Sequence, residues 1–155
     1  MNQELGKLTA QEIELLHKAP VLVSILIAGA DGNIDNKEIK RAISLTESKQ
    51  KKSKLRLSDF YTEVATDFED KIRIVIQSLP SQVEKRTAEI AGQLSVLEPV
   101  LRKLSNELAI EFYQSLREIA KAIAESSGGM LGLNSIGDEE APLLTLPMIK
   151  DPATY

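Results

Sequence analysis

The chain has 155 residues, of which 43% are hydrophobic and 27% charged, and this composition suits one folded domain of ordinary size. It contains no cysteine and a single histidine, which excludes disulfide bonds, thiolate metal sites, cysteine nucleophiles and multi-histidine zinc sites. The formal net charge of −4 is too small to indicate a nucleic-acid-binding protein.

The first helical signals lie near the N-terminus. Thr9 and Glu12 form a T-x-x-E capping box, which predicts the start of a helix. Pro20 lacks an amide donor, so we expect it to kink or restart that helix. Residues 21–30 are apolar almost all round, which predicts a central buried helix. The Asp-Gly pair at residues 31–32 is expected to end it, since glycine adopts the left-handed conformation common at helix ends.

Two further helices are predicted in the middle of the chain. One begins near Asp35 and fades into the polar, basic residues 48–54. The other begins near Ser58 and ends at Pro80. Its apolar stripe consists of Tyr61, Val64, Ala65, Phe68, Ile72, Val75 and Leu79.

The last helical signals precede a change in composition at Ser126. Ser81 and Glu84 form a second capping box, and a kink is expected near Glu98, before Pro99. Ser105 or Asn106 is expected to cap a long final helix. Its core side is predicted to be Leu108, Phe112, Leu116, Ile119 and Ile123.

These signals predict an all-α protein, a compact bundle of about five to seven helices, because no segment alternates apolar and polar residues as a strand does. We expect residues 1–127 to form the helical domain and residues 128–155 an irregular, glycine- and proline-containing tail. The apolar side chains of this tail are expected to pack on the bundle or on a partner. The sequence shows neither a secretory signal nor an apolar run of the roughly 20 residues that a membrane span needs, so we expect a cytoplasmic location.

One motif carries chemical information. Residues 27–39 contain D-G-x-I-D-x-x-E, the spacing of the second half of an EF-hand loop. The carboxylates of Asp31, Asp35 and Glu38 and the carbonyl of Asn33 are therefore predicted ligands of a divalent cation such as calcium. The first half of the loop is missing, because Ile27 and Gly29 stand where two further ligands would be. Binding is therefore expected to be weak, on the order of 0.1–1 mM.

The same residues have a purely structural interpretation. Asp31-Gly32 is also an ordinary helix stop, and Asp35 with Glu38 is also a capping-box-like pair at a helix start. Both carboxylates would be stabilised by the positive end of the helix dipole without any ion. The spacing alone leaves both interpretations open.

The motif Ala-Asp-Gly-x-Ile-Asp-x-x-Glu, placed between an apolar helix and an amphipathic one, resembles the TerB-like (tellurite-resistance) family. The resemblance covers about residues 8–126. It implies an all-helical module in which Asp31, Asp35 and Glu38 bind a metal ion, and it does not imply a particular reaction or partner. Residues 118–140 loosely echo the motif, with Asp138, Glu139 and Glu140 after a glycine-rich insertion, and we interpret them as a degenerate repeat or a tail loop.

Other candidates have plainer interpretations. The basic run between Lys37 and Arg56 has no interleaved aromatic residue, so a solvated connection is preferred to a phosphate site. His17 is expected at the boundary of the first helix. Asp67, Glu69 and Asp70 are expected on a solvated face. No nucleophile–base pair is visible, so we expect no enzyme.

Two functions remain as hypotheses. The first is a non-catalytic module that binds a divalent cation, a protein partner or both, in stress response or envelope-linked signalling. The alternative is a structural protein-interaction adaptor without a metal site. In either case, a protein partner or self-association is expected, without nucleic acid.

Overall fold

The structure, a computed structural model, describes residues 2–30, 34, 36–52, 55–127 and 141–155. Helices dominate these residues, and no β-strand occurs among them, which confirms the predicted all-α bundle. Two short 3-10 segments, Ala141–Leu143 and Pro152–Thr154, lie in the C-terminal tail. The helices are α1 (Asn2–Leu5), α2 (Ala10–Ala28), α3 (Asn36–Lys52), α4 (Leu55–Ser78), α5 (Val83–Ser95), α6 (Leu97–Leu101) and α7 (Asn106–Ser127).

Helix α2 forms the centre of the bundle. Every residue from Ala19 to Ala28 is buried, and α2 contacts α3, α4, α5, α6 and α7. Of the two outcomes predicted for Pro20, a kink or a restart, the restart does not occur, because α2 continues through Pro20 to Ala28. An internal proline costs a helix about 3 kcal/mol, and burial of an apolar segment against five neighbours outweighs that cost. The hydroxyl of Ser24 donates to the Pro20 carbonyl at 2.7 Å, so this buried polar group is satisfied inside the helix.

The predicted capping box at the start of α2 is confirmed. The Glu12 amide donates to Thr9 Oγ1 at 3.1 Å, and the Thr9 amide donates to Glu12 Oε1 at 2.9 Å. The second carboxylate oxygen of Glu12 accepts a hydrogen bond from Lys103 Nζ at 2.7 Å. Glu12 of the capping box thus also joins the start of α2 to the connection between α6 and α7.

The long stripes of α4 and α7 form most of the rest of the core. The predicted core residues of α7 are all fully buried, and so are Phe60, Tyr61, Phe68 and Ile72 of α4. Ser105 caps α7, since its hydroxyl oxygen accepts the Leu108 amide at 3.3 Å. Periodicity and capping therefore predicted α7 correctly, whereas α4 begins at Leu55, ends at Ser78 and has an unpredicted non-helical residue at Asp67.

The predicted start of α5 was wrong, and the predicted break after it was confirmed. Helix α5 is not started by a capping box at Ser81, because its N-cap is Gln82, which makes no side-chain cap bond. The break predicted near Glu98 is present, and it falls at Val96, between α5 and α6. Pro99 lies in the first turn of α6, where amide groups have no partner within the helix, so the missing donor costs little there.

The described part of the tail packs on the bundle. Leu146 and Ile149 are buried in the same core as the helices, and the segment Pro152–Thr154 contacts α7. Tyr113 Oη donates to the Thr145 carbonyl at 2.8 Å. Leu146 has a φ of 51°, a conformation that costs a non-glycine residue about 1–3 kcal/mol. Complete burial of the Leu146 side chain offsets that strain.

Candidate functional site

The candidate site is the junction between α2 and α3. Helix α2 ends earlier than expected, with Gly29 as its C-cap, and the Gly29 amide donates to the Ile25 carbonyl at 2.9 Å. The φ of Gly29 is −101°, so the helix ends here without a left-handed residue. The expected stop at residues 31–32 lies outside the described residues. The junction therefore begins before the acidic motif.

The C-terminal side of the junction is the first turn of α3. Glu38 lies in that turn, and only 2% of its surface is exposed. A carboxylate there is stabilised by the amide groups and dipole of the helix N-terminus. Ile34, the apolar residue of the motif, is half-buried and packs against the core. The junction is thus attached to the bundle by at least one side chain between its two helices.

Glu38 is the only one of the four predicted metal ligands that the structure describes. Asp31, Asn33 and Asp35 lie outside the described residues, as do Asp138, Glu139 and Glu140 of the degenerate repeat. The described residues contain no group of three or more side chains suited to hold a metal ion. Since three predicted ligands lie outside them, the metal site stays a prediction.

The structure adds one residue that the sequence analysis missed. Arg86 of α5 is 5% exposed, and its Nη2 donates to the Gly29 carbonyl at 2.8 Å. Its Nη1 donates to the Ser81 carbonyl at 3.3 Å. The guanidinium therefore joins the end of α2 to the segment that precedes α5. Its two described hydrogen-bond partners are neutral carbonyl oxygens.

A signal for Arg86 is present in the sequence. Arg86, Ile90 and Leu94 recur every four residues and share the buried face of α5. Extending the Ile90–Leu94 stripe back by one turn would have placed an arginine in the core. Because a buried guanidinium must be hydrogen-bonded, a backbone or acidic partner would then have been expected.

Arg86 changes the electrostatics of the junction. Its positive charge lies against Gly29, two residues before the first carboxylate of the acidic motif. Because like charges repel more strongly where water is excluded, this guanidinium disfavours a cation nearby and favours carboxylates. The junction thus has the buried carboxylate of Glu38 on its α3 side and the buried guanidinium of Arg86 on its α2 side.

His17 lies at a boundary position, as predicted. Its ring stacks on Phe60 with centroids 5.1 Å apart, and its Nε2 is 3.0 Å from Glu63 Oε2.

Tyr61 and Ser115 form a polar pair in the core. Tyr61 Oη lies 2.7 Å from Ser115 Oγ, and Ser115 Oγ donates to the Phe112 carbonyl. Burial raises the pKa of Tyr61, and the nearby Glu118 charge adds to the rise. The contact between Tyr61 and Ser115 joins α4 to α7 in the core.

Comparisons of the chain with family models, with curated proteins and with solved structures found no match. The resemblance to the TerB-like family therefore continues to rest on the motif and the order of its helices. In the part of the chain that the structure describes, no helix combines the length and the apolar character needed to cross a bilayer.

Proposed function

We propose that this protein is a non-catalytic, cytoplasmic helical module that binds a divalent cation weakly at the α2–α3 junction and also binds a protein partner. The predicted ligands are Asp31, Asn33, Asp35 and Glu38. The observation that supports the proposal best is the burial of the Glu38 carboxylate in the first turn of α3. The resemblance to tellurite-resistance proteins suggests a role in stress response or envelope-linked signalling.

The helices on each side of the junction support the proposal physically. Helix α2 is fixed by burial, and α3 packs on α4 and α7, so the ends of the intervening segment are held by the bundle. Holding these ends in place lowers the entropy that a short loop loses when its oxygens converge on an ion. Calcium takes six to eight oxygen ligands, so with only three carboxylates available water would complete the shell.

A structural adaptor without a metal site is the second candidate, and Arg86 favours it. The guanidinium supplies a permanent positive charge beside Gly29, which acidic side chains of the junction could use in place of an ion. In that case Glu38 would stabilise α3 through the helix dipole, without an ion. The two candidates differ in whether calcium stabilises the folded protein.

Thermal unfolding with and without calcium tests the proposal. At a calcium concentration tenfold above Kd, an ion bound to the folded state alone adds about 1.4 kcal/mol to the free energy of unfolding. We expect this gain in the wild type and its loss in Asp31→Asn and in Glu38→Gln. The matched control is Glu84→Gln, which removes an exposed first-turn carboxylate from α5. This control should keep the full gain.

Two results would contradict the cation proposal. If several millimolar calcium leaves the wild-type melting temperature unchanged, the proposal is wrong for calcium and the adaptor is favoured. If calcium stabilises all three variants as much as the wild type, the ion binds elsewhere. Calorimetric titration with calcium and then with magnesium would measure the two affinities separately.

A further inference from the structure

Helix α4 presents a row of carboxylates to solvent. Asp59, Glu63, Asp67 and Asp70 are all exposed and recur every three or four residues along α4, whose backbone is non-helical at Asp67. We call these four residues the acidic ridge. Like charges at this spacing repel one another, so the ridge is unfavourable for the isolated fold.

Few of the described basic side chains pair with the ridge. Within the described residues, Asp59, Asp67 and Asp70 form no ion pair with a lysine or arginine. The charged-group contact of Glu63 among these residues is with His17, whose Nε2 lies 3.0 Å from Glu63 Oε2. By contrast, the neighbouring Glu69 is paired with Arg73 at 2.8 Å. A positively charged partner would therefore find free carboxylates along this face.

A groove with charged and apolar lining residues lies beside the ridge, between α2 and α4. It has a volume of about 320 Å³, and its lining includes Glu14 and Lys18 of α2 and Asp67, Asp70, Lys71 and Ile74 of α4. Ile74 is 65% exposed, and the only other large hydrophobic residue so exposed in the described part of the chain is Val96. Ile74 also continues the line of the ridge, four residues after Asp70. An apolar contact and a row of acids thus lie next to each other.

We propose that the groove between α2 and α4 binds a basic amphipathic helix of a partner protein. Apolar side chains of the partner would cover Ile74, and its lysine or arginine side chains would pair with Asp67 and Asp70. Lys18 and Lys71 also line the groove, so a segment that is basic all round is repelled there. The groove therefore fits a segment whose basic residues lie along one side of its apolar stripe.

This inference rests on the partner-binding part of the proposed function and specifies the partner, but it is independent of the cation. A failure of calcium to stabilise the protein would not affect it. A failure of the groove to bind would not affect the calcium experiment. The two proposals can therefore be judged separately.

A synthetic peptide serves as the probe. It is a fluorescein-labelled helix of about 14 residues with leucines at helical spacing and lysines along one side of the stripe. A second peptide with glutamate in place of lysine has the same apolar stripe. Fluorescence anisotropy at about 50 mM salt, where exposed charges are only partly screened, measures binding to the full chain. We expect the lysine peptide to bind and the glutamate peptide to bind at least about tenfold more weakly.

Matched variants locate the binding surface. The double variant Asp67→Asn/Asp70→Asn should weaken lysine-peptide binding by about tenfold, and Ile74→Ser should do the same through the lost apolar contact. Asparagine suits the non-helical backbone of Asp67, where φ is −129°. The controls are Glu84→Gln/Glu89→Gln on α5 and Val96→Ser, which change exposed residues outside the groove. Both controls should bind as the wild type does.

Three results would overturn the inference. One is equal loss of binding in the groove variants and in their controls, which would indicate general charge attraction. Another is no binding of the lysine peptide at about 1 mM, a concentration that corresponds to only about 4 kcal/mol of affinity. The third is a dimer in sedimentation that Ile74→Ser converts to a monomer, because the groove would then be covered by a second copy. All variants change exposed side chains, and circular dichroism would verify that each is folded.

Discussion

The guanidinium of Arg86 lies against the backbone of Gly29, with Nη2 2.8 Å from its carbonyl oxygen. This contact joins the first turns of α5 to the C-cap of α2, residues separated by 57 positions in the chain. A Cβ atom on Gly29 would lie 2.8 Å from Nη2 and 3.1 Å from Nε of Arg86. A side chain at this position would therefore force the Arg86 guanidinium to shift, although the φ of Gly29 is ordinary.

Gly29→Ala should destabilise the protein. The added methyl group displaces the buried guanidinium and weakens its bond to the Gly29 carbonyl, at a cost of about 1–3 kcal/mol. Gly92→Ala is the matched control, because a Cβ there meets nothing within 4 Å. That substitution, inside α5, should instead stabilise by about 0.5–1 kcal/mol. Urea unfolding measures both changes, and equal stabilisation in the two variants would show that Arg86 yields without cost.

Arg86→Met should have two separable effects. Methionine fills similar apolar space but leaves the carbonyls of Gly29 and Ser81 without this donor, which should cost about 1–3 kcal/mol in the free energy of unfolding. Removal of the positive charge should also tighten calcium binding at the junction by a few-fold. Calorimetry on the folded variant measures the second effect. A weaker calcium affinity in Arg86→Met would mean that Arg86 organises the cation site more than it repels the ion.

Alkaline pH should destabilise the protein through its tyrosines. Burial raises the pKa of Tyr61, Tyr113 and Tyr155 above the ordinary value of 10.0. The unfolded chain therefore loses these protons at a lower pH than the folded chain does, and stability falls as pH rises above about 10. Below that pH the three tyrosines should contribute no pH dependence.

Tyr61→Phe tests the largest of these contributions. The variant should lose about 0.5–1.5 kcal/mol at neutral pH, because the hydrogen bond from Tyr61 to Ser115 is removed. It should also show a shallower loss of stability above pH 10 than the wild type, since Tyr61 is fully buried. Chemical unfolding at several pH values gives both quantities. An unchanged alkaline slope would assign the effect to Tyr113 and Tyr155.

The tail should contribute to the stability of the bundle. Ile149 is 3% exposed and belongs to the main core, so Ile149→Ala should cost about 2–4 kcal/mol. Lys150→Ala, at the exposed neighbouring position, should change stability by less than about 0.5 kcal/mol. Thermal melting compares the two variants. Equal melting temperatures would show that the tail detaches from the bundle at little cost.

The sequence alone determined two local features of this protein, although a third local signal, the Ser81–Glu84 pair, did not form the predicted capping box. The Thr9–Glu12 capping box involves residues three apart, and both of its hydrogen bonds are present. The apolar stripe of α7 recurs at the period of a helix, so its buried side followed from geometry alone. The candidate ligands Asp31, Asn33, Asp35 and Glu38 likewise came from spacing within one short segment, and their role stays a prediction.

Only the tertiary structure decided the features that depend on contacts between distant segments. Pro20 would interrupt an isolated helix, but α2 continues because five neighbouring helices bury it. Gly29 is the C-cap of α2 beside Arg86, a residue 57 positions away, so no local rule could have related the two. Asp67 and Asp70 were expected on a solvated face, and folding placed α2 beside them to form a groove with Ile74. Local interactions depend on neighbouring residues in the chain, whereas these arrangements depend on which surfaces are brought together when the whole core is buried.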